Sequence, residues 1–164
     1  MENRFRIKKI QDQDRLRIVD FIVNNWESPI IISKGKEYPV DQLEGFIAVQ
    51  NNIYVGLITI NIDNNECQIV TLNAEIENIG IGTALLNRAI DYAIENKCTR
   101  VWLVTTNDNT PALRFYQTRN FKLKALYCDA MQFSRKLKPE IPLYGINSIP
   151  IRDEIELEYL LYDI

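Results

Sequence analysis

The hydrophobic period of this chain changes abruptly near its middle, and that change limits what it can fold into. From Gly45 to Asn73 the apolar residues mostly alternate, and from Gly80 to Asn96 they recur at helical spacing. Gly45 to Gln50, Ile53 to Ile62 and Glu66 to Asn73 read as strands joined by the tight turns Asn51-Asn52 and Asp63-Asn64-Asn65, so they form a meander. Gly80 to Asn96 then reads as a long helix burying Ile81, Leu85, Leu86, Ala89, Ile90 and Ala93. A short apolar run follows at Arg100 to Thr105. Strand, helix and strand in that order join parallel strands, so the sheet must be mixed.

Around this centre, Arg4 to Ile10 alternates as a strand. Asp12 to Trp26 has helical spacing, with Leu16, Val19, Ile22 and Val23 marking one face and Asp12 or Asp14 at its start. Pro29 breaks it, and Ile30-Ile31-Ile32 with the turn Lys34-Gly35-Lys36 reads as a small hairpin. Asn109 to Thr118 is a shorter helix with Pro111 in its first turn, where a missing N–H costs little. Phe121 to Cys128 is a strand, and Ala130 to Lys138 a helix ended by Pro139 and Pro142. Ile151 to Leu161 alternates as a half-buried strand. Its Glu154, Glu156 and Glu158 are either the wet face of an edge strand or a stripe that attracts a cationic amine. The expected fold class is α/β (α+β): a mixed, mostly antiparallel central sheet flanked by helices, with a central parallel βαβ unit, in one domain over residues 1–164.

Composition removes several classes. Histidine is absent, so a Ser-His-Asp or Cys-His hydrolase is excluded in its usual form. The net charge of −3, from 19 basic and 22 acidic residues, gives no nucleic-acid footprint. Cys67, Cys98 and Cys128 are too scattered for a disulfide framework or a zinc site, and no metal is expected. No leader and no membrane-length apolar stretch are read, so the expectation is a cytoplasmic protein away from membranes.

The junction itself suggests chemistry. In Val70-Thr71-Leu72-Asn73-Ala74-Glu75-Ile76-Glu77-Asn78-Ile79-Gly80-Ile81-Gly82-Thr83, a strand ends and two glycines open a helix. The free N–H groups of Ile79 to Thr83 lie at the positive end of the helix dipole, an anion site suited to a pyrophosphate, and Thr83 adds a hydroxyl. Leu85 stands where a dinucleotide fingerprint has its third glycine, and the Gly-Lys-Ser/Thr of a P-loop is missing. Glycines serving only a tight turn are the bland alternative. After the next strand, Asn109, Ala112 and Tyr116 share one helix face: small Ala112 leaves room for a ligand chain and Asn109 can both donate and accept.

These two segments resemble the GNAT superfamily, whose pyrophosphate loop Gln/Arg-x-x-Gly-x-Gly/Ala corresponds to Glu77-Asn78-Ile79-Gly80-Ile81-Gly82 and whose later motif corresponds to Asn109, Ala112, Tyr116 and Phe121. Two departures stand out: Glu77 puts a negative charge beside the loop, and Asn120 takes a glycine position. The nearest likeness is to a bacterial subgroup with a tail like Ile149-Pro150-Ile151-Arg152-Asp153-Glu154.

The resemblance implies an acetyl-CoA-dependent N-acetyltransferase acting on an amine of a small molecule, peptide or protein by direct attack in a ternary complex. It implies that the backbone of Val70 and Leu72 pairs with the pantetheine arm, that the Leu72 N–H is the oxyanion donor, and that Tyr116 is the general acid. It puts Glu66 forward as general base, with a solvated strand end as the competing reading and a water as the other base. Trp26 and the segment after it are candidates for the acceptor wall, with Trp26 as core the competing reading. A homodimer is a further open arrangement. The alternative function is a coenzyme-A-binding sensor or interaction module with little catalysis, which Glu77 favours.

Overall fold

The computed structural model describes residues 5–162. Arg4, where the first expected strand begins, lies outside them. The elements are β1 (Arg6–Lys9), α1 (Arg15–Trp26), β2 (Ile30–Ser33), β3 (Lys36–Pro39), β4 (Glu44–Gln50), β5 (Ile53–Asp63), β6 (Glu66–Ala74), α2 (Ile81–Glu95), β7 (Arg100–Thr106), α3 (Thr110–Gln117), β8 (Lys122–Tyr127), α4 (Met131–Leu137) and β9 (Glu154–Leu160). Seven strands form one sheet in the order β1-β4-β5-β6-β7-β9-β8, and β2 pairs with β3 as a separate hairpin. All pairs in the large sheet are antiparallel except β6 with β7. This is the expected mixed sheet.

Each face of the sheet carries its own apolar layer. On one face α2 lays Ile81, Leu85, Leu86, Ala89 and Ala93 against Phe46, Ile58, Ile60 and Val101. Leu85 and Leu86 are fully buried, and each contributes about 1.5–3 kcal/mol by leaving water. Gly56 lets this helix sit close: a Cβ there would lie 2.5 Å from Ile81 Cγ2. On the other face Ile18, Phe21 and Ile22 of α1 pack with Ile31, Tyr38 and Val40 against Ile47, Val49 and Leu57. The buried stripe of α1 is therefore not the expected one. Leu16 is 83% exposed and Val23 is exposed too, because the i, i+3, i+4 set that meets the sheet is Ile18, Phe21 and Ile22.

Two further expectations change for topological reasons. β9 is not an edge strand: it lies between β7 and β8, and both Glu154 and Glu156 are buried. Nor does Glu66 to Asn73 alternate without interruption as a regular strand would. The register runs Ile60↔Ile69 and then Thr59↔Thr71, so Val70 is an extra residue in β6. That bulge shifts the alternation by one, and Val70 packs on the α1 face while Leu72 packs on the α2 face.

Candidate active site

The parallel pair is short. Glu66, Cys67 and Gln68 register with Arg100, Val101 and Trp102, and beyond them β6 and β7 part. The bulge at Val70 turns β6 away at that point, and the β7-facing backbone of Val70 to Leu72 is left without a strand partner. A cleft of about 400 Å³ opens there, walled by Ile69 to Leu72 on one side and Leu103 to Thr105 on the other, with Asn109, Ala112, Phe115 and Tyr116 of α3 across its end. Unpaired backbone in a cleft needs a partner, and an extended amide-bearing chain supplies one.

The mouth of the cleft is the start of α2. Glu77 and Gly82 line it. Asn78 and Gly80 adopt left-handed backbone, φ 62° and 85°, which curls the loop so that successive N–H groups converge ahead of the helix. Ile81 is buried in the core, so only its backbone faces a ligand. Ile79 is likewise packed against the core by its side chain. The Thr83 hydroxyl accepts from Arg119 Nη2 at 2.8 Å and Nε at 3.1 Å, and the guanidinium lies 3.8 Å from the Phe115 ring centroid. Arg119 thus brings a cation to the anion site, opposite in sign to Glu77. The sequence reading missed it; its signal was a basic residue one turn after Phe115 on a face already read as ligand-lining.

Asn109 is the N-cap of α3, its Oδ1 accepting from the Ala112 N–H at 3.3 Å, which leaves its amide N–H groups for a ligand. Tyr116 is buried between Phe115 and Phe121, with ring centroids 5.1 and 5.3 Å away, and still lines the cleft. Tyr116 is thus part of the core and of the cleft wall at once. Its hydroxyl has no hydrogen-bond partner among the described residues, and burial pushes its phenol above its ordinary value, so it stays protonated near neutrality. Trp26 is not core: it is 39% exposed, lines the cleft, and donates from Nε1 to Asn73 Oδ1 at 2.6 Å.

Glu66 does not join this group. Its carboxylate accepts from Arg100 Nη2 at 2.9 Å, and it borders a separate depression with Lys36, Asn64 and Trp102 at the other end of β6. The reason is the direction of the strand: the splay opens toward the end of β6, and Glu66 sits at its closed beginning. Arg100 also binds Glu156 at 2.9 Å and Glu158 at 2.8 Å, so two carboxylates of the glutamate stripe are paired from within.

A parallel pair splayed at a bulge, an anion-ready helix start at its mouth and a buried phenol at its end define an N-acetyltransferase that draws its acetyl group from acetyl-CoA. Residues 14–121 match the acetyltransferase (GNAT) family, and the chain belongs to it. It is similar to YxbD of Bacillus subtilis (strain 168), described as uncharacterized, with 44% identity over 138 residues, 84% of this chain and 87% of that one. In fold it is similar to the IAA acetyltransferase from Bacillus cereus ATCC 14579, with 19% identity, TM-score 0.70, and coverage of 96% of this chain and 99% of that one. It is also similar to a GNAT family acetyltransferase from Elizabethkingia anophelis with acetyl-CoA bound, with 20% identity, TM-score 0.68, and coverage of 98% and 100%. Among the described residues no helix is long and apolar enough to cross a membrane.

Proposed function

We propose that this chain transfers an acetyl group from acetyl-CoA to an amine of a small molecule or peptide by direct attack in a ternary complex. The observation that carries the reading is the splay between β6 and β7 with Tyr116 at its end. The thioester supplies an activated acetyl group. The N–H groups of the 79–83 loop, with Arg119 beside them, hold the diphosphate, offsetting Glu77. Val70 and Leu72 hold the pantetheine arm through their backbone, and the Leu72 N–H meets the charge that develops on the thioester oxygen. Asn109 donates to an amide of the arm, and Ala112 leaves room for it. Tyr116 gives its proton to the departing thiolate.

Proton removal from the acceptor falls to water. Among the cleft-lining residues the titratable groups are Glu77, at the phosphate end, and Tyr116. Trp26 forms part of the wall on the acceptor's side. Glu77 in the cleft favours the second reading, a coenzyme-A-binding sensor with little turnover. Release of free coenzyme A from acetyl-CoA across a panel of amines separates the two. Amine-dependent release that falls about 10²-fold or more in Tyr116→Phe, with acetyl-CoA affinity retained, supports transfer with Tyr116 as acid. Tight binding without release on any amine favours the sensor, and absence of binding sinks both.

A further inference from the structure

One lysine of this protein holds its ammonium in a pocket of its own. Lys34 sits in the β2–β3 turn, with φ 50°, and reaches across to the sheet face that carries the glutamate stripe. Its ammonium donates to Tyr127 Oη at 3.0 Å and to Glu156 Oε1 at 3.2 Å. It also lies 4.6 Å from the Tyr127 ring centroid and 5.4 Å from that of Trp102. A carboxylate, a phenol hydroxyl and the Trp102 ring around one point make a receptor for a primary alkylammonium. Nothing in the acetyl-transfer scheme uses this receptor.

The occupant is free to leave. The hairpin backbone is tied down independently, by Tyr38 donating to Gln68 at 2.8 Å and Gln68 donating to Ser33 at 3.1 Å. The Lys34 side chain is 38% exposed and can swing out on its four-carbon stem with no backbone change. A cavity of about 790 Å³, lined by Lys34, Tyr127, Glu154, Ala130, Phe133 and Leu137, adjoins the receptor on its β8 side and gives the displaced Lys34 side chain room. Departure of Lys34 also leaves a charge imbalance. Glu66, Glu156 and Glu158 pair with Lys34, Arg100 and Lys124, so without Lys34 these three carboxylates outnumber their cations by one. A cationic ligand restores what was lost.

The receptor is not where the reacting nitrogen sits. Glu156 registers with Val104, which walls the cleft, and Tyr127 lies one strand further out on β8. At about 4.8 Å between strands, the receptor is roughly 5–10 Å from the cleft wall. One nitrogen cannot be in both places, but two nitrogens on one alkyl chain can. We propose that the acceptor is an aliphatic diamine, with one amine in the cleft and the other displacing Lys34 onto Glu156, Tyr127 and Trp102. This rests on the acetyl-transfer reading and names its substrate class. In the reaction the acetyl carbon bonds to the cleft nitrogen and the carbon–sulfur bond breaks. The neutral cleft amine gives up one proton to water, the thiolate takes one from Tyr116, water returns a proton to Tyr116, and the distant ammonium is unchanged.

The test compares cadaverine with n-pentylamine, which has the same chain and lacks the second ammonium. Both are assayed with acetyl-CoA on the native protein, Lys34→Ala and Lys34→Met, the last keeping the stem's bulk in case the alanine variant unfolds. Expected are a KM for cadaverine about tenfold or more below that for n-pentylamine, and a further fall for cadaverine alone in the Lys34 variants. Equal KM values for the two amines, or equal shifts on substitution, overturn the diamine assignment and leave acetyl transfer standing. Should neither amine be turned over, calorimetry on the coenzyme-A-saturated Lys34→Met protein decides. Cadaverine binding without n-pentylamine binding supports the receptor, and no cadaverine binding overturns it. Loss of coenzyme A binding itself would instead sink the transfer reading beneath it.

Discussion

Alanine at Gly80 and at Gly82 should separate two roles that the glycine pair plays. Gly80 is the N-cap of α2, with φ 85° and ψ 12°, and a Cβ there meets nothing within 4 Å among the described residues. The cost of Gly80→Ala is therefore conformational only. Left-handed backbone costs an L-residue about 1–2 kcal/mol. The stiffer unfolded chain of the alanine variant offsets about 0.4–1 kcal/mol of that. The net is about 1 kcal/mol of lost stability, and in a chain of this size Tm falls by about 2–4 °C. Gly80→Asn, with a side chain that tolerates this region, should fall between the two.

Gly82 behaves oppositely. It lies inside the first turn of α2, where alanine is preferred to glycine by about 0.8–1 kcal/mol. Its Cβ would rest 3.4 Å from Phe115 Cε2, at the edge of ordinary contact, so stability without ligand should hold or rise. But Gly82 lines the cleft, and a methyl there stands where phosphates must approach the helix start. Coenzyme A affinity should fall about tenfold or more, a loss of about 1.4 kcal/mol or more. Thermal unfolding by circular dichroism with and without coenzyme A, plus calorimetry, reads both quantities. If Gly80→Ala melts with the native protein, the conformational role of Gly80 is refuted; if Gly82→Ala binds coenzyme A as tightly, the assignment of the helix start as the phosphate site is refuted.

Other consequences follow from the same geometry. Arg119→Ala should weaken coenzyme A about tenfold and flatten the dependence of its Kd on salt, because a cation beside the diphosphate is lost; an unchanged salt slope in calorimetric titrations would count against that role. Glu66→Gln should leave kcat/KM within about threefold and add or remove no ionisation in its pH profile, since Glu66 is bound to Arg100 outside the cleft; a rate loss near 10²-fold would restore it as the base. Burial opposes the charge on Asp14, but bonds from Lys8, Tyr54 and the Gln11 N–H outweigh it and hold the carboxyl below its ordinary value. Its stabilising contribution is thus complete above the unfolded carboxyl value and is lost as pH falls through the lower folded one. Asp14→Asn should cost about 1–3 kcal/mol at pH 7 and flatten the acid side of the urea-unfolding profile, and a native-like acid slope in the variant would contradict this.

The sequence alone determined the elements and much of the site. The period change at the 74–80 segment placed α2 and its buried face, the meander placed β4 to β6, and two short motifs brought Gly82, Asn109, Ala112 and Tyr116 to one cleft. Such features are local: a helix start or a side-chain alternation depends on neighbours within a few residues. The tertiary structure decided everything that turns on pairing across the sheet. Which face of α1 is buried depends on what it packs against, and Leu16 lost that place to Ile18. Val70 becomes a bulge only because β5 spends one residue where β6 spends two, and that shift both parts the strands and moves Leu72 to the other face. The insertion of β9 between β7 and β8 buries a glutamate stripe that reads as solvated. It also sets Glu156 beneath Lys34, while the parallel pairing of β6 with β7 puts Arg100 beside Glu66 at the closed end of the splay. Charge partners that lie 34 or 122 residues apart in the chain leave no periodic trace, because their meeting is fixed by strand order and register rather than by local conformation.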